Sequence, residues 1–266
     1  MPTVTIDGLR VSVPEETTIL DAARRVGVWI PTLCHSQAVS EQTTCRLCLV
    51  GLERKGELQM VTACNYPVRR DLTVSVSGEK PARVRRGVMQ LLLARCPESQ
   101  ELKELAARMG VSGTPFPKVT EAQRNCVLCG LCIAACEEAI GASAIGFAGR
   151  GVDRVVAAPF RAPSEACIAC GACAAVCPVG TIQVRIHEDA GEAEISPFKS
   201  RAKLLACEEC GKRLVSVPVA ALMAGRLQKI DWEEFRRRSR LCPECRRRQA
   251  ARAFGVGIGA PSRIWK

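Results

Sequence analysis

The sequence predicts an α+β protein assembled from several small modules rather than around one large core, and three observations predict it. Before residue 65 apolar and polar residues alternate in short runs separated by turn dipeptides. Residues 81–110 then shift to a helical period. From residue 126 on, short stretches of alanine and glycine follow cysteine-rich runs that repeat.

The elements follow in order. Val4–Ile6 and Leu9–Val13 alternate as strands around Asp7-Gly8, a two-residue hairpin signal. Thr18 caps a short helix carrying Ile19, Leu20, Ala23 and Val26, which Gly27 ends. A loop runs from Pro31 through Cys48, and a second hairpin pairs Leu49–Glu53 with Leu58–Thr62. Of the two helices in residues 81–110, the first is expected to bury Val84, Val88, Leu91 and Leu92. The second is expected to bury Leu102, Leu105, Ala106 and Met109. Val111–Lys118, with Gly113, Pro115 and Pro117, reads as a linker.

The chemistry lies in the 17 cysteines. Two runs, Cys126-x2-Cys129-x2-Cys132-x3-Cys136 and Cys167-x2-Cys170-x2-Cys173-x3-Cys177-Pro178, have the ligand pattern of a two-cluster bacterial ferredoxin. A short C-x2-C-x2-C loop delivers three thiolates from one turn, and the fourth must come from elsewhere. In the two-cluster arrangement it comes from the other run. One 4Fe–4S cluster is therefore expected on Cys126, Cys129, Cys132 and Cys177, and a second on Cys167, Cys170, Cys173 and Cys136. Structural zinc closes with four ligands from two pairs and does not call for two four-cysteine runs. Alanine and glycine around the runs let backbone amides approach the cluster sulfurs.

Upstream, Cys34, Cys45, Cys48 and Cys64 have the spacing C-x10-C-x2-C-x15-C in strand-rich surroundings. That pattern suits a 2Fe–2S rhomb held by four thiolates, with zinc as the alternative. Ile30-Pro31-Thr32-Leu33-Cys34-His35 followed by Cys45-Arg46-Leu47-Cys48 resembles the β-grasp ferredoxin domain at the N-terminus of the complex I large iron–sulfur subunit. It resembles equally the diaphorase small subunit of NAD-reducing hydrogenases and the iron–sulfur subunits of bifurcating hydrogenases and NAD-dependent formate dehydrogenases. The resemblance covers about residues 1–190. In that family the 81–110 stretch leads into an extra cubane with one histidine and three cysteine ligands. Here Ala94-Arg95-Cys96-Pro97-Glu98-Ser99-Gln100 offers one cysteine and no histidine. The extra cluster is expected to be absent and Cys96 to be a buried structural thiol.

Beyond the resemblance, Cys207-x2-Cys210-Gly211 and Cys242-Pro243-x-Cys245 stand 31 residues apart. Two such knuckles read as a structural zinc site, with a further iron–sulfur cluster as the rival. Trp232–Arg240 and Arg246–Arg252 read as basic helices, and without interleaved aromatics they suit solvated faces or a docking surface better than nucleic acid. The glycines of 146–151 and of 255–259 lack the strand–turn–helix context of a phosphate loop, and the latter read as a tail. His35 is expected in the cluster loop and His187 at a strand end on the surface.

The formal charge of +11 counts cysteines as neutral. Four thiolate sites of about −2 each lower it to roughly +3, so much of the excess base compensates metal–thiolate anions. Nothing at the N-terminus resembles a signal peptide, and no apolar stretch approaches the roughly 20 residues of a membrane span, so a cytoplasmic chain is expected. No radical S-adenosylmethionine run, flavin motif, nucleotide-binding fold or hydrogen-site cysteine pattern occurs.

The modules expected are a β-grasp 2Fe–2S domain over 1–78, a helical linker over 79–120 and a two-cluster 4Fe–4S domain over 121–195. A four-cysteine zinc-ribbon-like module over 200–254 and a tail over 255–266 complete the chain. Redox centres without a substrate site indicate an electron-transfer subunit of a multi-subunit oxidoreductase. By resemblance its partners are a flavin subunit handling NAD(P)H and a catalytic subunit such as a hydrogenase or formate dehydrogenase. A free-standing poly-ferredoxin carrier is the alternative. An iron–sulfur nucleic-acid sensor needs a reading helix that the sequence lacks.

Overall fold

The structure is a computed structural model that describes residues 1–120, 125–226 and 240–253. Trp232–Ser239 and the 255–259 glycines lie outside the described residues. The chain forms two compact units, one of residues 1–160 with 172–183, the other of 161–171 with the residues from 184 on.

In the first unit β1 (Thr3–Ile6) and β2 (Leu9–Ser12) form the expected hairpin, with Asp7 and Gly8 both at positive φ, 46° and 87°. This is the backbone that a twisted two-residue hairpin requires. The Asp7 carboxylate then accepts the amides of Val76 and Ser77 at 2.8 and 2.9 Å. β3 (Leu49–Arg54) and β4 (Glu57–Thr62) pair around Lys55-Gly56, again both at positive φ. The strand β5 (Leu72–Ser75) completes a sheet of order β2-β1-β5-β3-β4, parallel to β1 and antiparallel to β3. It has no hairpin dipeptide of its own because both its partners lie far away in sequence.

Helix α1 (Ile19–Arg25) is capped by the Thr18 hydroxyl, which accepts the Asp21 amide at 3.1 Å, and the chain leaves it through Gly27 at φ 74°. Ile19, Leu20, Ala22 and Ala23 join Val4, Ile6, Val50, Leu52 and Val74 in one core.

The helices of residues 81–110 are α2 (Glu79–Arg95) and α3 (Gln100–Arg108), the second capped by Ser99. Leu102 and Ala106 are buried as expected. The buried face of α2 is a correction. Pro81, Arg85, Met89, Leu93 and Ala94 point inward, whereas Leu91 is 55% exposed and Val84, Val88 and Leu92 are half-buried. The physical reason is Arg85, whose guanidinium donates to the carbonyls of Leu49 at 2.8 Å and Val76 at 2.7 Å. Burial lowers its pKa, an effect that nearby Asp7 opposes. A charge that finds carbonyl partners can point inward, so a face chosen by apolar residues alone is rotated. Arg85→Met keeps most of the stem but orphans two carbonyls, and is expected to destabilise the unit by roughly 2–4 kcal/mol. Equilibrium denaturation measures this, and a change under about 0.5 kcal/mol would remove Arg85 from the fold's supports.

Past α3, Val111 is buried and the Val119 amide donates to the Ala94 carbonyl at 2.8 Å, so both ends of the expected linker are tied down. The unit closes with α4 (Leu131–Ala134), a π-helical turn over Ala135–Ile140, the hairpin β6 (Gly146–Ala148) and β7 (Val155–Ala157), and the turn α5 (Ala172–Ala175).

The second unit is built on a sheet of order β11-β10-β9-β8, from β8 (Gln183–His187), β9 (Glu192–Ser196), β10 (Ser200–Ala206) and β11 (Arg213–Ser216). Glu194 on β9 takes the Arg201 guanidinium at 2.6 Å and faces His187 at 3.3 Å. Helices α6 (Val217–Arg226) and α7 (Pro243–Ala253) follow the sheet. A boundary between residues 195 and 200 therefore falls inside this sheet, between two paired strands. Among the described residues no helix is long and apolar enough to cross a membrane.

Candidate metal centres

The N-terminal set is brought together as two close pairs. Cys34 and Cys45 place their sulfurs 3.3 Å apart, and Cys48 and Cys64 theirs 3.4 Å apart. All four residues are at most 5% exposed. Within each pair one thiol donates to the other, which brings Cys34 down to about 5 and Cys48 down to about 7 while raising Cys45 and Cys64. Arg46, between Cys45 and Cys48, sits at φ 59° and turns the loop tightly. Such a donor set, soft, buried and with Cys34 and Cys48 inclined to thiolate, fits iron or another thiophilic metal.

The next set uses the loop ahead of α4. Leu128 lies at φ 52° and its amide points at the Cys126 sulfur, 3.4 Å away. Gly130 follows at φ 84°. Burial pushes Cys126 and Cys132 up and Cys129 up to about 12, and nearby Cys177 raises all three further. Cys177 thus converges on the first run from a remote part of the sequence. Buried thiols without a compensating cation resist ionisation, and a bound metal would supply that cation. Arg95 at the end of α2 donates to the Cys126 carbonyl at 2.7 Å, and Thr181 donates to that of Asn125. Neither residue carries a sequence signal, because the partner in each case is a backbone carbonyl.

The remaining four residues fall in both units, Cys136 and Cys173 in the first and Cys167 and Cys170 in the second. The Cys136 sulfur accepts the Ala144 amide at 3.3 Å. Ala169 and Gly171, at φ 50° and 76°, repeat the backbone of Leu128 and Gly130. Cys96 is fully buried, with its thiol pushed up to about 12 by that burial. The sequence expects a buried thiol here, and the structure buries it.

In the second unit the sulfurs of Cys207, Cys210, Cys242 and Cys245 all lie within 4.8 Å of one another. Cys210 and Cys242 are 3.8 Å apart. Tetrahedral zinc with Zn–S bonds of about 2.3 Å separates its sulfurs by about 3.8 Å, so the donor set fits one such ion. The Cys242 amide donates to the Cys207 sulfur and the Cys245 amide to that of Cys242, at 3.2 and 3.3 Å. These amides lower both thiols, Cys207 to about 6. The Arg248 guanidinium reaches the Cys245 sulfur at 3.8 Å.

His35 contacts Arg24 through Nε2 at 3.3 Å, beside a cavity of about 380 Å³ lined by Asp21, Ser36, Gln37, Val39, Ser40 and Glu41. His187 ends β8 as expected.

Comparison with known proteins places this geometry. Residues 1–78 match the 2Fe-2S iron-sulfur cluster binding domain, and residues 164–183 the 4Fe-4S binding domain. The chain is 33% identical over 204 residues to the NADPH-Fe(3+) oxidoreductase subunit alpha of Geobacter sulfurreducens, covering 68% of this chain and 24% of that one. It is 31% identical over 211 residues to the NADP-reducing hydrogenase subunit HndD of Solidesulfovibrio fructosivorans, 68% and 36% of the two chains. With the mitochondrial NADH-ubiquinone oxidoreductase 78 kDa subunit of Candida albicans it shares 28% over 203 residues, 67% and 28%. The chain thus spans about a quarter to a third of the length of these relatives. The crystal structure of an NAD+-reducing [NiFe]-hydrogenase in the H2-reduced state matches at a TM-score of 0.50 and 30% identity, over 59% of this chain and 75% of that one. The protein belongs to the iron–sulfur family that includes these subunits of NAD(P)-linked hydrogenases and oxidoreductases and the 78 kDa subunit of NADH-ubiquinone oxidoreductase.

Proposed function

We propose that this chain relays electrons through one 2Fe–2S and two 4Fe–4S clusters in the cytoplasm, between a flavin subunit handling NAD(P)H and a catalytic subunit such as a hydrogenase or formate dehydrogenase. When bound, the clusters supply one-electron redox steps at nearly fixed geometry. The ligand sets are Cys34, Cys45, Cys48 and Cys64; Cys126, Cys129, Cys132 and Cys177; and Cys167, Cys170, Cys173 and Cys136. Cys207, Cys210, Cys242 and Cys245 hold a structural zinc that staples the second unit.

One observation carries this reading. Cys34, Cys45 and Cys129 belong to a single buried core with Leu33, Leu47, Met89, Leu93, Val127 and Leu131. Residues of two ligand sets share one water-excluding packing, so the protein holds their separation rigidly. A free carrier needs one exposed centre; a relay needs centres packed against one another.

The chain prepared without oxygen is expected to contain about 10 iron atoms and one zinc. It should take electrons from dithionite yet oxidise no NAD(P)H, hydrogen or formate alone, and a flavin partner should restore NAD(P)H-dependent reduction. Unaided NAD(P)H oxidation would refute the relay reading. Iron near 14 without zinc would transfer the C-terminal site to a further cubane.

A further inference from the structure

The ten residues between Cys34 and Cys45 do more than close a ligand loop. Within the first unit they bind the Cys126 loop at two points and the π-helical turn beyond α4 at a third. Ser40 gives its amide and hydroxyl to the two carboxylate oxygens of Glu138, at 2.7 and 2.5 Å. Gln42 lies against Gly130, where a Cβ would come within 2.7 Å of its Oε1, so the glycine leaves room for it. Thr44 donates its hydroxyl to the carbonyl of Cys129 at 2.9 Å.

The third contact joins the two ligand sets directly. Thr44 is one peptide bond from Cys45, and the carbonyl it bonds belongs to Cys129 itself. An unbroken path therefore leads from a ligand of the N-terminal centre, through one residue and one hydrogen bond, to a ligand of the next. Tunnelling decays less steeply through covalent and hydrogen bonds than across gaps, so a contact of this kind sets a rate.

We infer that Thr44 is the positioning residue for electron passage between the N-terminal centre and the centre on the Cys126 run, its hydroxyl bridging the Cys45 peptide to the Cys129 carbonyl. The inference rests on the relay reading. One electron leaves the reduced member of the pair and enters the oxidised one. No proton moves and no bond is made or broken, so the hydroxyl keeps its hydrogen throughout. Ser40 and Gln42 hold the loop against the Cys126 side, and the bridge stays closed.

Thr44 is exposed, so its replacement opens no cavity in the core. The test uses the full chain with all clusters loaded, reduced by a single electron with a photochemical donor. Redistribution between the 2Fe–2S and cubane signals is followed by rapid-freeze electron paramagnetic resonance. Thr44→Val is expected to slow redistribution severalfold with unchanged cluster content, g values and potentials, and Thr44→Ser to restore the wild-type rate. Thr44→Ala carries the same comparison should the valine variant load poorly. An unchanged rate in the valine or alanine variant, or a serine variant as slow as either, overturns the bridge while leaving the relay standing. Absence of any redistribution in the wild-type chain overturns both.

Discussion

Cys177→Ser is expected to abolish the cubane held by the Cys126 run while leaving the 2Fe–2S signal and the other cubane in place. Cys177 belongs by sequence to the second run, yet it lies in the first unit, close enough to Cys126, Cys129 and Cys132 to raise their thiols. A serine oxygen is a harder, poorer ligand for an iron–sulfur centre than thiolate. The loss should approach four iron atoms per chain, about two fifths of the total. Iron analysis and electron paramagnetic resonance of the reduced protein measure it. Cys136→Ser should remove the other cubane in the same way. Were Cys177→Ser and Cys170→Ser to damage one and the same cluster, the crossed ligation would be wrong.

Cys207→Ser is expected to cost the chain its zinc and the second unit its closure, with iron content unchanged. Cys207 is 2% exposed, and its sulfur both faces the other three ligands and accepts the Cys242 amide. A structural zinc contributes on the order of 10 kcal/mol of binding free energy that is also folding free energy. Three remaining thiols cannot recover that, so the segments carrying Cys207 and Cys242 lose the staple that joins them across 31 residues. Metal analysis with limited proteolysis reads the result, as loss of one zinc and faster cleavage after residue 200. Loss of an iron signal instead would assign a cluster to this site.

Much of the first unit was legible because its signals are local. Asp7-Gly8 adopts the positive φ pair that its dipeptide announces, and Thr18 and Gly27 bound their helix as capping chemistry requires. The cysteines of the N-terminal and C-terminal sets were legible as sets from their spacing, whereas the close pairs Cys34–Cys45 and Cys48–Cys64, and Cys210 against Cys242, join residues 11, 16 and 32 positions apart and come from the tertiary fold. The strand Leu72–Ser75 was less legible, for its partners are contributed by residues 4–6 and 51–52. Arg85 misled the helical pattern because hydropathy counts its charge and not the two carbonyls that satisfy it.

The sequence by itself determined the cysteine spacings of this protein, the alternation and caps of its short elements, and its kinship with iron–sulfur proteins. Each of these depends on residues within a few positions of one another. Only the tertiary structure decided that β8 pairs into the sheet of the C-terminal unit, that Arg95 holds the Cys126 loop, and that Thr44 meets Cys129 across 85 positions. The reason is that those contacts end on backbone N–H and C=O groups, which every residue carries alike, so no side-chain pattern announces which pair will meet.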